Sequence, residues 1–310
     1  MPIIVGSVRS GTTLLRMMLD SHPELTIPPE SYFPARLAAR RARYEREGGV
    51  DVDAVRDDLL HLAEFAPFRR NWSLDPEIVQ QRLTQADPRT LGDVVRALYS
   101  LWAERQNKPR YGDKTPVFVF HLPVLAAMLP EARFIHLLRD GRDVARSMVD
   151  LDHPDHPRSI SGAADEWARC IRAGRTAQGQ IGDSRYLEVQ YDELVADPEA
   201  TLQSICSFVD LDFDSVMLRS YERGTDAVPP HERWQHQNLM RPPVQGLRDW
   251  RREMPARDLA LFEAIAGNEL TAAGFERAVP RVPLWARASA RALSARAYLR
   301  KVLTHIRRRR

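Results

Sequence analysis

The sequence predicts an α/β protein: a parallel sheet flanked by helices, with a helical insertion above the sheet and a basic helix at the end. Three observations predict it. Short apolar runs alternate with segments of helical periodicity, the pattern of βαβ units. The first run passes directly into a glycine-bearing turn, Gly6-Ser7-Val8-Arg9-Ser10-Gly11-Thr12-Thr13, that opens a helix. Residues 35–105 then carry helical periodicity over a long stretch.

Taken in order, Ile3 to Val5 reads as a short buried strand and Thr12 to Asp20 as the helix it feeds. Leu25 to Ile27 reads as a second strand, closed by Pro28-Pro29. From Ala35 to Arg105 the pattern is helical, with breaks near Gly48-Gly49, Asn71 and Pro88, and forms a lid or substrate wall. Arg110-Tyr111-Gly112 ends a short strand, and a helix runs from about His121 to Leu129. "RFIHLL", Arg133 to Leu138, is the best central strand, followed by a helix from Arg142 to Val149. Tyr186 to Gln190 is another strand and Glu193 to Val209 another helix. Open α/β sheets bind ligands beyond the carboxyl ends of their strands. The residues after Val5, Ile27, Leu138 and Gln190 are therefore expected to share one crevice. Residues 1–280 read as a single domain and 281–310 as a basic tail.

Composition excludes several classes. The chain of 310 residues is 44% hydrophobic and 28% charged, ordinary for a soluble globular protein. No window approaches the roughly 18 uncharged apolar residues of a membrane span. No charged leader with a cleavage site precedes the first strand, so the expected compartment is the cytoplasm. Cys170 and Cys206 lie in helical patterns and read as core thiols, not as a disulfide framework or metal site. The net charge of +3 hides an asymmetry: residues 281–310 hold nine arginines, one lysine and no acid, so the body is acidic. Nucleic acid is accordingly not an expected partner. In the tail, Ala292, Ala295, Leu299, Val302 and Ile306 make an apolar stripe. It either packs on the core or lies against an anionic membrane as a peripheral contact.

The turn after the first strand has the frame of a phosphate-gripping loop, but Thr12 stands where an ATP- or GTP-binding loop carries lysine. Its backbone N–H groups and the helix N-terminus can hold an anion. Ser10, Thr12 and Thr13 add hydroxyls, and Arg9 offers a planar fork. After the central strand, "LLRDGRDVARSM" puts Arg139 at the strand end and Ser147 two helical turns on, where they could grip a second phosphate. Taken alone, each segment also fits a plain turn or a capped helix.

Together the two segments resemble the paired signatures of the sulfotransferase superfamily, whose donor is 3′-phosphoadenylyl sulfate (PAPS). "GSVRSGTTLL" is similar to its 5′-phosphosulfate loop and "FIHLLRDGRDVARSM" to its 3′-phosphate segment. "PPESYF", "YGDKTP" and "VQYDELVADPEATLQSICSFVDLDF" follow in the family's order, in the manner of the branch with tyrosylprotein sulfotransferases and bacterial homologues. The resemblance covers roughly residues 1–30 and 109–255. It implies a P-loop-type fold, PAPS as co-substrate, PAP as product, and no metal. It places Arg9, Ser10, Gly11, Thr12 and Thr13 on the 5′ end, Arg139 and Ser147 on the 3′ phosphate, and Tyr191 near the nucleotide. "PPVQGLRDWRREM" is similar to a late loop over the 3′ phosphate, with Arg248 the implied ligand, although the spacing to Trp250 departs from relatives. Leu151 stands where some relatives place a further basic residue.

Transfer to a hydroxyl or amine needs a base for the nucleophile and positive charge on the leaving oxygen. The resemblance gives Glu30 the first role and Lys114, with Arg9, the second. Glu30 also fits a helix N-terminal acid. Lysine occurs only at 108, 114 and 301, and an ammonium, unlike a guanidinium, can give up its proton. Asp113 is expected to orient Lys114 by charge. His22 is a rival base or a helix cap, and His136 a core residue. Competing readings are a P-loop kinase using Asp192 and Glu193, though those acids also fit a helix cap, and a sulfotransferase-like protein without catalysis. The acceptor is left open among small molecules, lipids, glycans and peptides, the absence of a signal segment favouring the first three.

Overall fold

Ile3, Ile4 and Val5 are buried, as a central parallel strand requires. In the computed structural model they lie in β1 (Pro2–Gly6). The structure describes residues 1–295 except 155, 236–238, 240, 244, 245, 247 and 294. Contacts divide the chain into two compact units, residues 1–138 with 173–245 and residues 139–172 with 246–310.

In the first unit, β1 feeds α1 (Thr12–Asp20), and β2 (Leu25–Thr26) follows. The insertion comprises α2 (Phe33–Ala39), α3 (Arg41–Tyr44), β3 (Glu45–Arg46), β4 (Gly49–Val50), α4 (Val52–His61), α5 (Ala66–Trp72), α6 (Pro76–Ala86) and α7 (Leu91–Arg105). Then come β5 (Arg110–Tyr111), β6 (Asp113–Lys114), α8 (Leu122–Met128) and β7 (Arg133–Leu138). The second unit holds α9 (Gly141–Leu151) and the first part of α10 (Ile160–Ile181), whose last turns return to the first unit. There, β8 (Tyr186–Gln190), α11 (Tyr191–Ala196) and α12 (Pro198–Phe208) complete the sheet layer.

The sheet runs β6-β1-β7-β8, all parallel. The predicted class, a parallel sheet with helices about it, therefore holds. Ile4, Leu15, Leu19, Ile135, Leu137, Leu202 and Ile205 belong to one buried cluster that joins the sheet to α1 and α12. Both cysteines are free and buried.

Three expectations are corrected and one helix is added. The second strand does not enter the main sheet: β2 pairs with β5, Leu25 opposite Arg110 and Thr26 opposite Tyr111. Pro28 and Pro29, which have no N–H, cannot extend its ladder. The place beside β1 goes instead to β6, with Ile4 opposite Lys114. Glu47-Gly48 turns an antiparallel hairpin, β3–β4, with Gly49 already in its second strand, inside the otherwise helical insertion. The helix expected over 193–209 is two helices, because Pro198 starts α12 and the Asp197 side chain caps it through the Ala200 N–H. Finally, α10 is a full helix of 22 residues where only the pattern around Cys170 was legible.

In the second unit, α13 (Trp250–Glu253) and α14 (Ala256–Ala272) pack on α9. Arg142 lies at their centre, buried, bonded to Asp140 and Glu263 and stacked on Trp250 with its Cζ 3.6 Å from the ring centroid. Residues 284–293 are helical. Leu299, Val302 and Ile306 of the tail stripe lie outside the described residues.

Candidate active site

The loop after β1 is turned by left-handed backbone at Arg9 (φ 67°) and Gly11 (φ 97°). Such turns make the concave array of N–H groups that holds an anion. Gly11 is needed for a second reason: a Cβ there would stand 2.5 Å from the Tyr191 ring. The same contact places Tyr191, the first residue of α11 and not the last of β8, against the loop. Gly11 is also the N-cap of α1, has no side chain to cap it, and no acid stands in the first turn. The amides of Thr12 and Thr13 thus open a helix whose N-terminus favours negative charge. Ser10 is buried and donates its hydroxyl to the Ser7 carbonyl at 2.6 Å, so it braces the loop and does not offer an outward donor.

Sheet register carries Lys114 to this loop. It ends β6, one strand from β1, with its side chain only 3% exposed. Its Nζ donates to Glu30 Oε1 at 2.7 Å and to Thr13 Oγ1 at 3.4 Å. Buried in this way, Lys114 is no solvated loop charge. The bland alternative for Glu30 fails on position: α2 begins at Phe33 with Tyr32 as its N-cap, so Glu30 is no first-turn acid. Glu30 is instead held from the insertion. Asn71 Nδ2 donates to the Glu30 carbonyl at 2.8 Å, and Trp72 Nε1 to the Pro29 carbonyl at 3.0 Å. The Tyr32 hydroxyl donates to Glu30 Oε2.

Asp113 does not orient the ammonium as expected. Neighbouring strand residues point to opposite faces, and the Asp113 carboxylate turns to Tyr99 (2.5 Å), the Ser31 hydroxyl (2.8 Å) and Thr115 (3.3 Å). Tyr99 also lies 2.9 Å from Ser31 Oγ. Burial pushes the Asp113 pKa up to about 6 against the opposing hydrogen bonds and the Lys114 charge. Because the folded value exceeds the unfolded one, this group's stabilisation is complete below about pH 4 and is lost as pH rises through 6. The loss amounts to about 3 kcal/mol. Urea unfolding at pH 4 and pH 7 should show that loss in the wild type and not in Asp113→Asn.

The histidines are not bases here. His22 Nδ1 accepts the Glu24 N–H at 3.1 Å, so Nε2 donates to the Asp212 carbonyl at 2.9 Å. It is a buried tether, not a helix cap, since α1 ends at Asp20 with Ser21 as its C-cap. His136 is fully buried against the Tyr186 hydroxyl (2.6 Å), and burial brings its pKa down to about 3. Asp192 and Glu193 lie in the first turn of α11 but do not cap it; the N-cap is Gln190.

Arg139 and Ser147 belong to the second unit. Arg139 precedes α9, its carbonyl accepting Trp167 Nε1 at 3.1 Å, and Ser147 is buried within that helix. Arg248 is paired with Asp150 of the same helix and, at 3.4 Å, with Glu253. Residues 244, 245 and 247 of that late loop lie outside the described residues. Sequence reasoning missed Tyr32, Asn71, Trp72 and Tyr99; of these, only Tyr32 lay inside a quoted motif.

Comparison with known proteins identifies the family. Protein-tyrosine sulfotransferase 2 of Gallus gallus is 28% identical over 231 residues, 72% of this chain and 54% of that protein. Protein-tyrosine sulfotransferase 1 of Danio rerio is 27% identical over 278 residues, 84% of this chain and 70% of that protein. The chain thus spans about half the length of the chicken relative. Among solved structures, the sulfotransferase domain of the Synechococcus PCC 7002 olefin synthase superposes with a TM-score of 0.61 at 26% identity, covering 89% of this chain and 94% of that one. The model of the sulfotransferase family matches residues 3–215, more than half of the sequence, and the chain belongs to that family.

Proposed function

We propose that this chain transfers a sulfuryl group from PAPS to an acceptor hydroxyl. One observation carries the reading: Lys114 Nζ stands between Glu30 and Thr13, so a buried ammonium joins a carboxylate to the anion-holding loop. A loop without the nucleotidase lysine, but with left-handed turns at Arg9 and Gly11, fits a 5′ phosphosulfate. Arg9, Gly11, Thr12 and Thr13 would hold that end, braced by Ser10 and Tyr191; Arg139 and Ser147 would hold the 3′ phosphate. Arg248 would first have to leave Asp150, so its part is the least supported by geometry.

When bound, PAPS supplies the activated sulfuryl group; the residues supply proton handling and charge. Glu30 takes the acceptor proton, and Lys114 holds positive charge, and a transferable proton, where the leaving oxygen develops negative charge. The insertion, residues 35–105, fixes Glu30 through Asn71 and Trp72 and is assigned to the acceptor side. The relatives named for protein tyrosine support a peptide or protein acceptor; small molecules, lipids and glycans are the other classes to screen.

The test has two parts. PAP should bind by calorimetry equally with Mg²⁺ and with chelator, whereas Mg²⁺-dependent ATP binding without PAP binding would refute the reading. Labelled PAPS should then transfer to a member of an acceptor panel containing tyrosine peptides. Glu30→Gln should lower that rate by about 10²–10⁴-fold, the usual contribution of a positioned base.

A further inference from the structure

Resting on the proposed role of Glu30, we infer that Tyr32 is a gate: its phenol occupies the place on Glu30 that an acceptor hydroxyl must take. Lys114 engages Oε1 from the buried side and Tyr32 engages Oε2. The Lys114 side chain is only 3% exposed, the Glu30 side chain 18%, and Tyr32 is half-buried. Whatever approaches Glu30 from solvent therefore meets the phenol, not the ammonium.

The backbone beneath it is unusual. Tyr32 sits in the left-handed region at φ 56°, which an aromatic residue seldom adopts without a constraint. The constraint is visible on both sides. The next residue, Phe33, is fully buried against Phe68, Trp72 and Tyr99, while the Ser31 hydroxyl is bonded to Asp113. Both flanks are thus anchored in the core, and Tyr32 is the half-buried residue between them. Arg36, one turn into α2, lays its guanidinium 5.1 Å from the Tyr32 ring centroid and holds the side chain over Glu30. A strained backbone under a half-exposed side chain favours release when a competing hydroxyl arrives. A phenol, moreover, demonstrably fits at Oε2, because the protein's own is there.

A residue that only positions Glu30 behaves differently from one that must yield. Tyr32→Phe keeps the ring beneath Arg36 and deletes the hydroxyl alone. If Tyr32 is a gate, this variant binds 4-methylphenol, titrated by NMR, about tenfold more tightly than wild type, since no internal hydrogen bond to a charged group has to break first. The double variant with Glu30→Gln loses that gain. In turnover with the same phenol, KM falls and kcat is kept. Equal or weaker binding by Tyr32→Phe, no binding to either protein, or a lower kcat at unchanged KM would overturn the gate. PAP titration of both proteins reports separately on the sulfotransferase reading, and thermal unfolding confirms that the variant is folded.

Discussion

Lys114→Ala is expected to lower turnover by about 10²–10⁴-fold, the range for losing a proton donor or a charge at the leaving group. On the proposed assignment PAP affinity should change far less, because the loop amides and Arg9 would still hold the 5′ phosphate. The fold should survive: the vacated Glu30 keeps its bond from Tyr32 and is partly exposed, so no fully buried charge is stranded. Lys114→Arg should not rescue. A guanidinium is larger than the ammonium that fits at a site 2% exposed, and it holds its proton too tightly to pass it on. Turnover, PAP affinity and melting temperature measured together separate this from a folding defect. Activity near the wild-type level in Lys114→Ala would remove Lys114 from the reaction.

What could be read from the sequence was what local chemistry decides. Thr12–Asp20, Arg133–Leu138 and Tyr186–Gln190 have the predicted bounds because apolar periodicity and flanking turns specify them without help from distant residues. The two-residue strands were harder. Asp113 and Lys114 carry no strand signature; they become β6 because β1 offers an open edge more than 100 residues away in sequence. That pairing is also what turns Asp113 into the core and Lys114 toward the loop, so the roles of the two could not be separated in advance. Tyr32 was hidden for a similar reason. Its left-handed backbone is imposed by Phe33 and Ser31, whose partners Phe68, Trp72, Tyr99 and Asp113 lie in distant segments. The burial of Arg142 was not legible either, since its acid partner Glu263 is 121 positions on.

Arg142→Met is accordingly expected to cost about 3–5 kcal/mol of stability, the usual result of removing one member of a buried ion group. The guanidinium is 1% exposed and spans two carboxylates, Asp140 at 2.7 Å and Glu263 at 2.9 Å. Removing it leaves both acids buried. Glu263 would retain the amides of Ala278 (2.8 Å) and Val279 (3.0 Å), which holds the cost toward the lower end. Among the described residues, Asp140 would retain only the N-cap bond from the amide of residue 142. The stack on Trp250 would go as well, and with it one tie between α13 and α9; the Trp250 N–H to Asp143 remains. Adding Glu263→Gln to Arg142→Met should recover part of the loss, because the stranded charge, not the missing packing, is the larger cost. Urea unfolding of the wild type and the two variants would show the order. A loss below about 1 kcal/mol in Arg142→Met, the level of an exposed pair, would mean that water reaches the pair. If Arg139 and Ser147 hold the 3′ phosphate as proposed, PAP affinity should fall along with stability, since a loosened α9 no longer presents the two at fixed separation.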